Sequence, residues 1–105
     1  MKGDRTMIND DQNTTTSLDL AKIREDIDSV DQQIQQLINR RARLAEAVAK
    51  AKFASEENPL FYRPEREAQV LRNVMERNEG PLSDTTMARL FREIMSACLA
   101  LEAPQ

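Results

Sequence analysis

Three charged residues stand at positions where the surrounding apolar pattern predicts the interior of a helical protein: Arg41, Glu67 and Glu102. A charge that leaves water without gaining a partner costs on the order of several kcal/mol. One explanation is a structural ion pair between Arg41 and one of the glutamates, or an escape of either glutamate to water near a helix end. The other is a binding site whose ligand supplies the countercharge.

Further basic residues favour a binding site. Arg41 and Lys52 are 11 residues apart, which in an α-helix is about three turns and about 16 Å along nearly the same face. Both side chains can therefore reach inward to the two ends of one small molecule. Arg66 follows the loop after Lys52 and can fold back to the same place. Several cations, two carboxylates and apolar walls are typical of a pocket for a compact polyanion.

Arg24 shares the heptad position of Lys52 but precedes it by 28 residues, about 42 Å along a straight helix. The two side chains of one chain therefore cannot contact the same small ligand. In an antiparallel or interlocked dimer, Arg24 of one chain can reach the site of the other. Alternatively, Arg24 is an ordinary solvated helix residue.

Three helices are predicted to position these residues, so the expected fold class is all-α. The chain has only 2 Gly, 4 Pro and 4% aromatic residues, with 40% hydrophobic residues. The first helix is expected to start after the N-cap Ser17 and to end near Phe53, with a heptad seam of apolar residues in which Arg41 is the exception. The predicted rod of about 50 Å is too long for two further helices of the same chain to cover, so a second chain is expected to cover it. The seam consists of Leu20, Ile23, Ile27, Val30, Ile34, Leu37, Arg41, Leu44, Val48 and Ala51.

Two shorter helices follow a loop that contains Pro59. Pro64 suits the first turn of the second helix, which is expected to run to about Asn78 before Gly80 and Pro81. Ser83 is the predicted N-cap of the third helix. The apolar positions of the third helix are Met87, Leu90, Phe91, Ile94, Met95, Cys98 and Leu101, and the next position of that stripe is Glu102.

Composition limits the possible functions. The formal net charge is −3 and the sequence pI is about 5.0, which disfavours nucleic acid or an anionic membrane as a partner. The single cysteine, Cys98, excludes a disulfide within the chain, and the lack of histidine excludes a Cys/His zinc site. No apolar run has the length of a membrane span, so a cytoplasmic protein is expected. Residues 1–17 are expected to be a disordered tail, with one helical domain at 18–105.

The spacing of these residues resembles the all-helical class of chorismate mutases. The resemblance covers about residues 18–103 and rests on three segments. They are Ile23-Arg24 to Ile27 with Asp31, Arg41 and Lys52; Arg63-Pro-Glu-Arg66-Glu67 with Val70-Leu71; and Arg89-Leu-Phe-Arg-Glu-Ile-Met95. The similarity is greatest to the N-terminal domain of bifunctional chorismate mutase–prephenate dehydratases, in which a dehydratase domain follows. The chain is therefore either an excised domain or a free-standing mutase.

The resemblance implies an intertwined homodimer of three-helix chains with two equivalent sites. It also implies the rearrangement of chorismate to prephenate, on the route to phenylalanine and tyrosine, without a cofactor or a metal. Arg41 and Arg24 of the partner subunit would hold the two carboxylates, and Lys52 would donate to the ether oxygen. Glu67 would bind the ring hydroxyl, with Arg66 nearby. Asp31 would position basic side chains, and Cys98 would line the pocket by packing.

Glu102 departs from the pattern of the family, since many bacterial members carry Gln there and donate a hydrogen bond to the ether oxygen. An ionised carboxylate cannot donate, so Glu102 would have to stay protonated in this role. We therefore expect activity to fall as the pH rises through the titration of Glu102.

Two alternatives remain open. An isochorismate pyruvate-lyase of the same helical class would share the fold and change the reaction. A non-catalytic helical dimerisation or regulatory module would keep the basic pocket without turnover. A coiled-coil adaptor explains the sequence least well, because it gives no reason for an arginine in the seam.

Overall fold

The described part of the chain folds into three α-helices. The computed structural model describes residues 12–55 and 63–102, with side chains from residue 19 onward. Helix α1 spans Gln12–Ser55, α2 spans Pro64–Arg77 and α3 spans Asp84–Glu102. The described residues contain no strand, so the prediction of an all-α protein is confirmed.

Helix α1 begins earlier than the sequence pattern predicts. Its first residue is Gln12, so Ser17 lies inside the helix and the prediction that it is the N-cap is wrong. The segment between Gln12 and Ser17 contains neither Pro nor Gly, so no residue in it interrupts the backbone hydrogen bonds of a helix. The other end of α1, Ser55, lies close to the predicted end at Phe53. Residues 56–62 of the predicted loop, which include Pro59, and the first 11 residues lie outside the described residues.

The chain divides into two compact units, one ending at Leu37 and the other beginning at Ile38. The described part of the first unit is helical throughout, and a single helix has no second element on which to bury an apolar face. Six apolar seam residues of this unit are accordingly 46–60% exposed: Leu20, Ile23, Ile27, Val30, Ile34 and Leu37.

The ends of α2 and α3 follow from local sequence signals. Pro64 occupies the first turn of α2. A backbone N–H at that position has no acceptor within the helix, so the lack of an N–H in proline costs no hydrogen bond. Ser83 caps α3 as predicted: the backbone N–H of Thr86 donates to Ser83 Oγ at 3.1 Å. The backbone N–H of Met87 donates to the Ser83 carbonyl at 2.9 Å, the first hydrogen bond of the helix.

A tight turn joins α2 to α3. Gly80 has a φ of +79°, a conformation that residues with a Cβ rarely adopt. The side chain of Asn78 closes the turn, because its Nδ2 donates to the Leu82 carbonyl at 2.8 Å and to Asp84 Oδ1 at 2.7 Å. These hydrogen bonds fix the direction in which α3 leaves the turn, and α2 and α3 pack against each other.

The buried residues of the second unit differ in part from the predicted seam. In α1 they are Ala45 and Ala49, whereas the predicted core residues Leu44 and Val48 are 58% and 47% exposed in the single chain. Both buried residues of α1 are alanines, which have small side chains. The larger seam residues beside them stay accessible. The other buried residues are Leu71 and Val74 of α2 and Ala88 and Cys98 of α3.

Candidate functional site

A cavity of about 320 Å³ in the second unit is lined by all three helices. Each helix contributes residues at the spacing that places side chains on one helical face. Helix α1 supplies Arg41, Leu44, Ala45, Val48 and Lys52, and the beginning of α2 supplies Arg66, Glu67 and Val70 together with Arg63 just before it. The last turns of α3 supply Met95, Cys98, Leu99 and Glu102. The volume suits a small molecule.

Six of the seven residues that the sequence singled out for a site line this cavity: Arg41, Lys52, Arg66, Glu67, Cys98 and Glu102. The cavity therefore brings together residues from three separate segments of the sequence. The roles of these residues toward a ligand stay predictions.

The cavity is positively charged although the chain is acidic. Its lining contains four cationic side chains and two carboxylates, which leaves two positive charges, whereas the whole chain has a formal net charge of −3. The four cations are Arg41, Lys52, Arg63 and Arg66. Apolar walls beside them lower the local dielectric response and so strengthen their attraction for an anion. A small dianion matches this charge.

Arg41 is half-buried, whereas its place in the seam predicts full burial. The cavity gives its guanidinium access to solvent, and no charged residue in the described part of the chain is fully buried. Within the described ranges 19–55 and 63–102, Arg41 forms no ion pair with Glu67 or Glu102. The structural ion pair proposed for Arg41 is thus not seen among the described residues, and the role of Arg41 toward a ligand stays a prediction.

Arg63 is the charged cavity residue that sequence reasoning left unassigned. It is exposed, it immediately precedes Pro64, and its carbonyl accepts the backbone N–H of Glu67 at 3.0 Å. The signal that could have found it is its spacing, since residues three apart at the start of a helix share a face. Arg63 and Arg66 have that spacing. Arg66 is held by Gln69, whose Oε1 accepts a hydrogen bond from Arg66 Nη1 at 2.8 Å.

The α3 wall combines a buried thiol with a half-buried carboxyl group. Cys98 is 3% exposed and Glu102 follows it by about one helical turn. Met95 and Leu99 on the same face give this wall an apolar character. Glu67 of α2, which is also half-buried, is the other carboxyl group of the cavity.

Arg24 and Asp31 lie in the first unit, and both are exposed. Neither lines the cavity of the same chain. The argument that distance excludes Arg24 from the site of its own chain stays a prediction. The expected contribution of Arg24 to a partner subunit stays a prediction.

Neither a metal site nor a membrane span is found in the described part of the chain. No group of three or more Asp, Glu or Cys side chains there is placed to hold a metal ion. No helix there is both long and apolar enough to cross a membrane.

Comparison with known proteins defines the family. Residues 23–103 match the sequence model of the family described as chorismate mutase type II. Because this match covers most of the 105 residues, the chain belongs to the type II chorismate mutase family. The resemblance drawn from the spacing of its basic residues is confirmed.

Relatives and solved structures agree with this assignment. The chain is 58% identical over 88 residues to the bifunctional chorismate mutase/prephenate dehydratase of Stutzerimonas stutzeri and 53% identical over 88 residues to that of Pseudomonas aeruginosa. Each match covers 81% of this chain and 24% of the relative, so the chain spans about a quarter of the length of these relatives. A solved chorismate mutase from Thermus thermophilus (Form II) superposes with a TM-score of 0.76 at 32% identity. This match covers 82% of the chain and 96% of that structure.

Proposed function

We propose that the chain catalyses the rearrangement of chorismate to prephenate. The observation that carries the proposal is the cavity, in which four cations and two carboxylates surround a space of about 320 Å³. Chorismate is a dianion with an ether oxygen and a ring hydroxyl, and the net charge of the cavity lining is complementary to it. Membership of the type II chorismate mutase family supports the same reaction.

The rearrangement is concerted, so the protein needs neither a nucleophile nor a proton-transfer group. The protein can hold the enolpyruvyl side chain over the ring in the reactive shape, which removes much of the entropic part of the barrier. It can also place donors at the ether oxygen, where negative charge grows as the C–O bond breaks.

We assign the side chains as follows. Arg41 holds a substrate carboxylate, and Lys52 donates to the ether oxygen. Glu67 accepts a hydrogen bond from the ring hydroxyl, and Arg66 lies beside it. Glu102 lines the same cavity, and it could donate to the ether oxygen only in its protonated form. Cys98 shapes the wall by packing, since its thiol is buried and the reaction needs no nucleophile.

We also propose that the active form is a homodimer in which Arg24 of the partner subunit completes the site. The exposed apolar seam of the first unit supports a second copy, because a monomer would leave six large apolar side chains about half exposed to water. The seven-residue repeat of that seam suits a helix of another chain. Arg24 lies on the same unit, so dimerisation through the seam can carry it to the second chain's cavity.

A direct assay tests the proposed reaction. Purified protein is mixed with chorismate, and the loss of chorismate and the formation of prephenate are followed together. We expect Arg41→Ala to lower kcat/KM by about 100-fold, because the substrate carboxylate then loses its charged partner inside the cavity. Arg43→Ala is the matched control and should stay within about twofold of the wild type, since Arg43 is exposed and does not line the cavity.

The same assay separates the alternatives. Isochorismate offered as the substrate, with pyruvate measured, tests the pyruvate-lyase reaction on the same fold. A lack of prephenate at micromolar wild-type protein would contradict the proposal and favour a non-catalytic dimerisation or regulatory module.

A prephenate dehydratase domain is a further proposed partner. Relatives from two organisms are bifunctional proteins, and the chain spans only about a quarter of their length. We propose that the natural protein joins this helical domain to a dehydratase domain that consumes its product. A cytoplasmic location stays a prediction from composition.

A further inference from the structure

A groove on the outer face of α2 adjoins the cavity. It is lined by Arg63, Glu65, Arg66, Gln69 and Arg72, all of them exposed. Four of these residues are spaced three apart, so they form one ridge along the helix surface. The groove contains three guanidinium groups and one carboxylate, which makes it a local positive region on an acidic chain.

The groove and the cavity share two residues. Arg63 and Arg66 line both, whereas Arg72 lines only the groove. Arg66 also donates to Gln69 at 2.8 Å, so its guanidinium is held at the boundary by a residue of the groove. Arg63 and Arg66 therefore join the groove to the cavity, and Arg72 lies further along α2 in the groove alone.

We propose that this groove is an outer capture site for small dianions, from which the substrate passes to the cavity along Arg63 and Arg66. The inference rests on the proposed function, because it takes the substrate to be dianionic. Arg72 is the outermost cation, about 9 Å along the helix axis from Arg66. At that distance its effect on a bound substrate is weak, and its effect on an approaching dianion depends strongly on salt.

A charge series at Arg72 tests the capture site. The variants Arg72→Lys, Arg72→Gln and Arg72→Glu are assayed with chorismate at about 10 mM and about 300 mM salt. These concentrations correspond to Debye lengths of about 30 Å and below 10 Å. We expect Arg72→Gln to lower kcat/KM by about two- to threefold at low salt and Arg72→Glu to lower it further. Both losses should disappear at high salt, with kcat unchanged, and Arg72→Lys should retain the wild-type values.

Two other positions serve as controls. Glu65→Gln removes the negative charge of the groove and should raise kcat/KM at low salt, the opposite sign to Arg72→Gln. Arg89→Gln changes the net charge of the chain by the same amount as Arg72→Gln, but Arg89 lies on α3, outside both the groove and the cavity. This variant should alter kcat/KM by less than about 1.5-fold. A melting curve for each variant checks that it is folded.

Two results would overturn the capture site. Unchanged kcat/KM in Arg72→Glu at low salt would show that the groove takes no part in capture. Equal losses in Arg72→Lys and Arg72→Gln at both salt concentrations would show a structural role in place of a charge effect. Failure of the proposed function is distinguishable from both, because the wild-type protein would then form no prephenate at any salt concentration.

Discussion

At the scale of single residues, the half-burial of the charged groups decides how they act. Arg41, Lys52, Glu67 and Glu102 are each half-buried on the cavity wall, so each retains some hydration in the single chain. Electrostatic interactions strengthen as water is excluded, and a bound substrate or a second chain over the cavity would exclude it. We therefore expect these residues to bind a dianion more strongly in the assembled site than in the isolated chain.

The pH profile of activity tests the donor role of Glu102. Only the protonated carboxyl group can donate to the ether oxygen, so a donor role for Glu102 predicts that kcat falls toward high pH. Glu102→Gln should flatten the profile, because an amide donates at every pH. Steady-state rates between about pH 5 and pH 9 measure both.

Glu93→Gln is the matched control for that profile, since Glu93 is an exposed residue of α3 that does not line the cavity. Its profile should follow the wild type. A wild-type profile without a fall at high pH would remove Glu102 from the donor role.

At the scale of elements, the way in which α3 begins determines where its last residue, Glu102, is placed. The Ser83 cap and the Asn78 hydrogen bonds fix the first turn, and the helix then carries Met95, Cys98 and Glu102 to the cavity by its regular rise. A change at the cap therefore acts on stability and, through the position of α3, on the site.

Removal of the cap should destabilise the protein measurably. We expect Ser83→Ala to lower the free energy of unfolding by about 1 kcal/mol, because the N–H of Thr86 loses its acceptor. For a domain of this size the corresponding fall in Tm is about 4–8 °C, which a thermal melt detects.

Thr85→Ala is the control for the cap, since Thr85 is exposed in the same turn and its side chain makes no hydrogen bond within the described residues. Its Tm should stay close to the wild type. Equal Tm values for the two variants would contradict the capping role of Ser83.

At the scale of the whole molecule, the exposed seam supports the proposed second copy, and the proposed role of Arg24 depends on that copy. The seam residues of the first unit are about half exposed, and Arg24 of that unit does not line the cavity of its own chain. If each site uses Arg41 of one chain and Arg24 of the other, a chain that lacks Arg24 and a chain that lacks Arg41 should together form one intact site.

Mixed dimers test this arrangement. Arg24→Ala and Arg41→Ala are each expected to be strongly impaired alone. Co-expressed in equal amounts, they should recover about a quarter of the wild-type activity, because half of the dimers are mixed and each mixed dimer has one intact site. Activity and mass in solution are measured on the same samples. No recovery in samples that contain mixed dimers would contradict the shared site, and a monomeric wild-type protein would contradict the dimer.

Much of the fold and most of the candidate site could be predicted from sequence because the signals are local. Pro64, Ser83 and the Gly80-Pro81 pair mark helix ends by their own backbone chemistry. Arg41 and Lys52 share a face because the helical period is fixed. The early start of α1 at Gln12 was missed because the polar segment before Ser17 lacks an apolar period, although nothing in it stops a helix.

The sequence by itself determined the helical segments of the described residues and the shared face of Arg41 and Lys52 on α1, because both depend on interactions within a few turns. Only the tertiary structure decided that Ala45 and Ala49 are buried in place of Leu44 and Val48, and that Arg63 joins the cavity. These outcomes depend on which helical faces meet and how closely they approach. Side-chain size and the direction of the connecting turn determine which faces meet and how closely, and they act between segments that are distant in sequence.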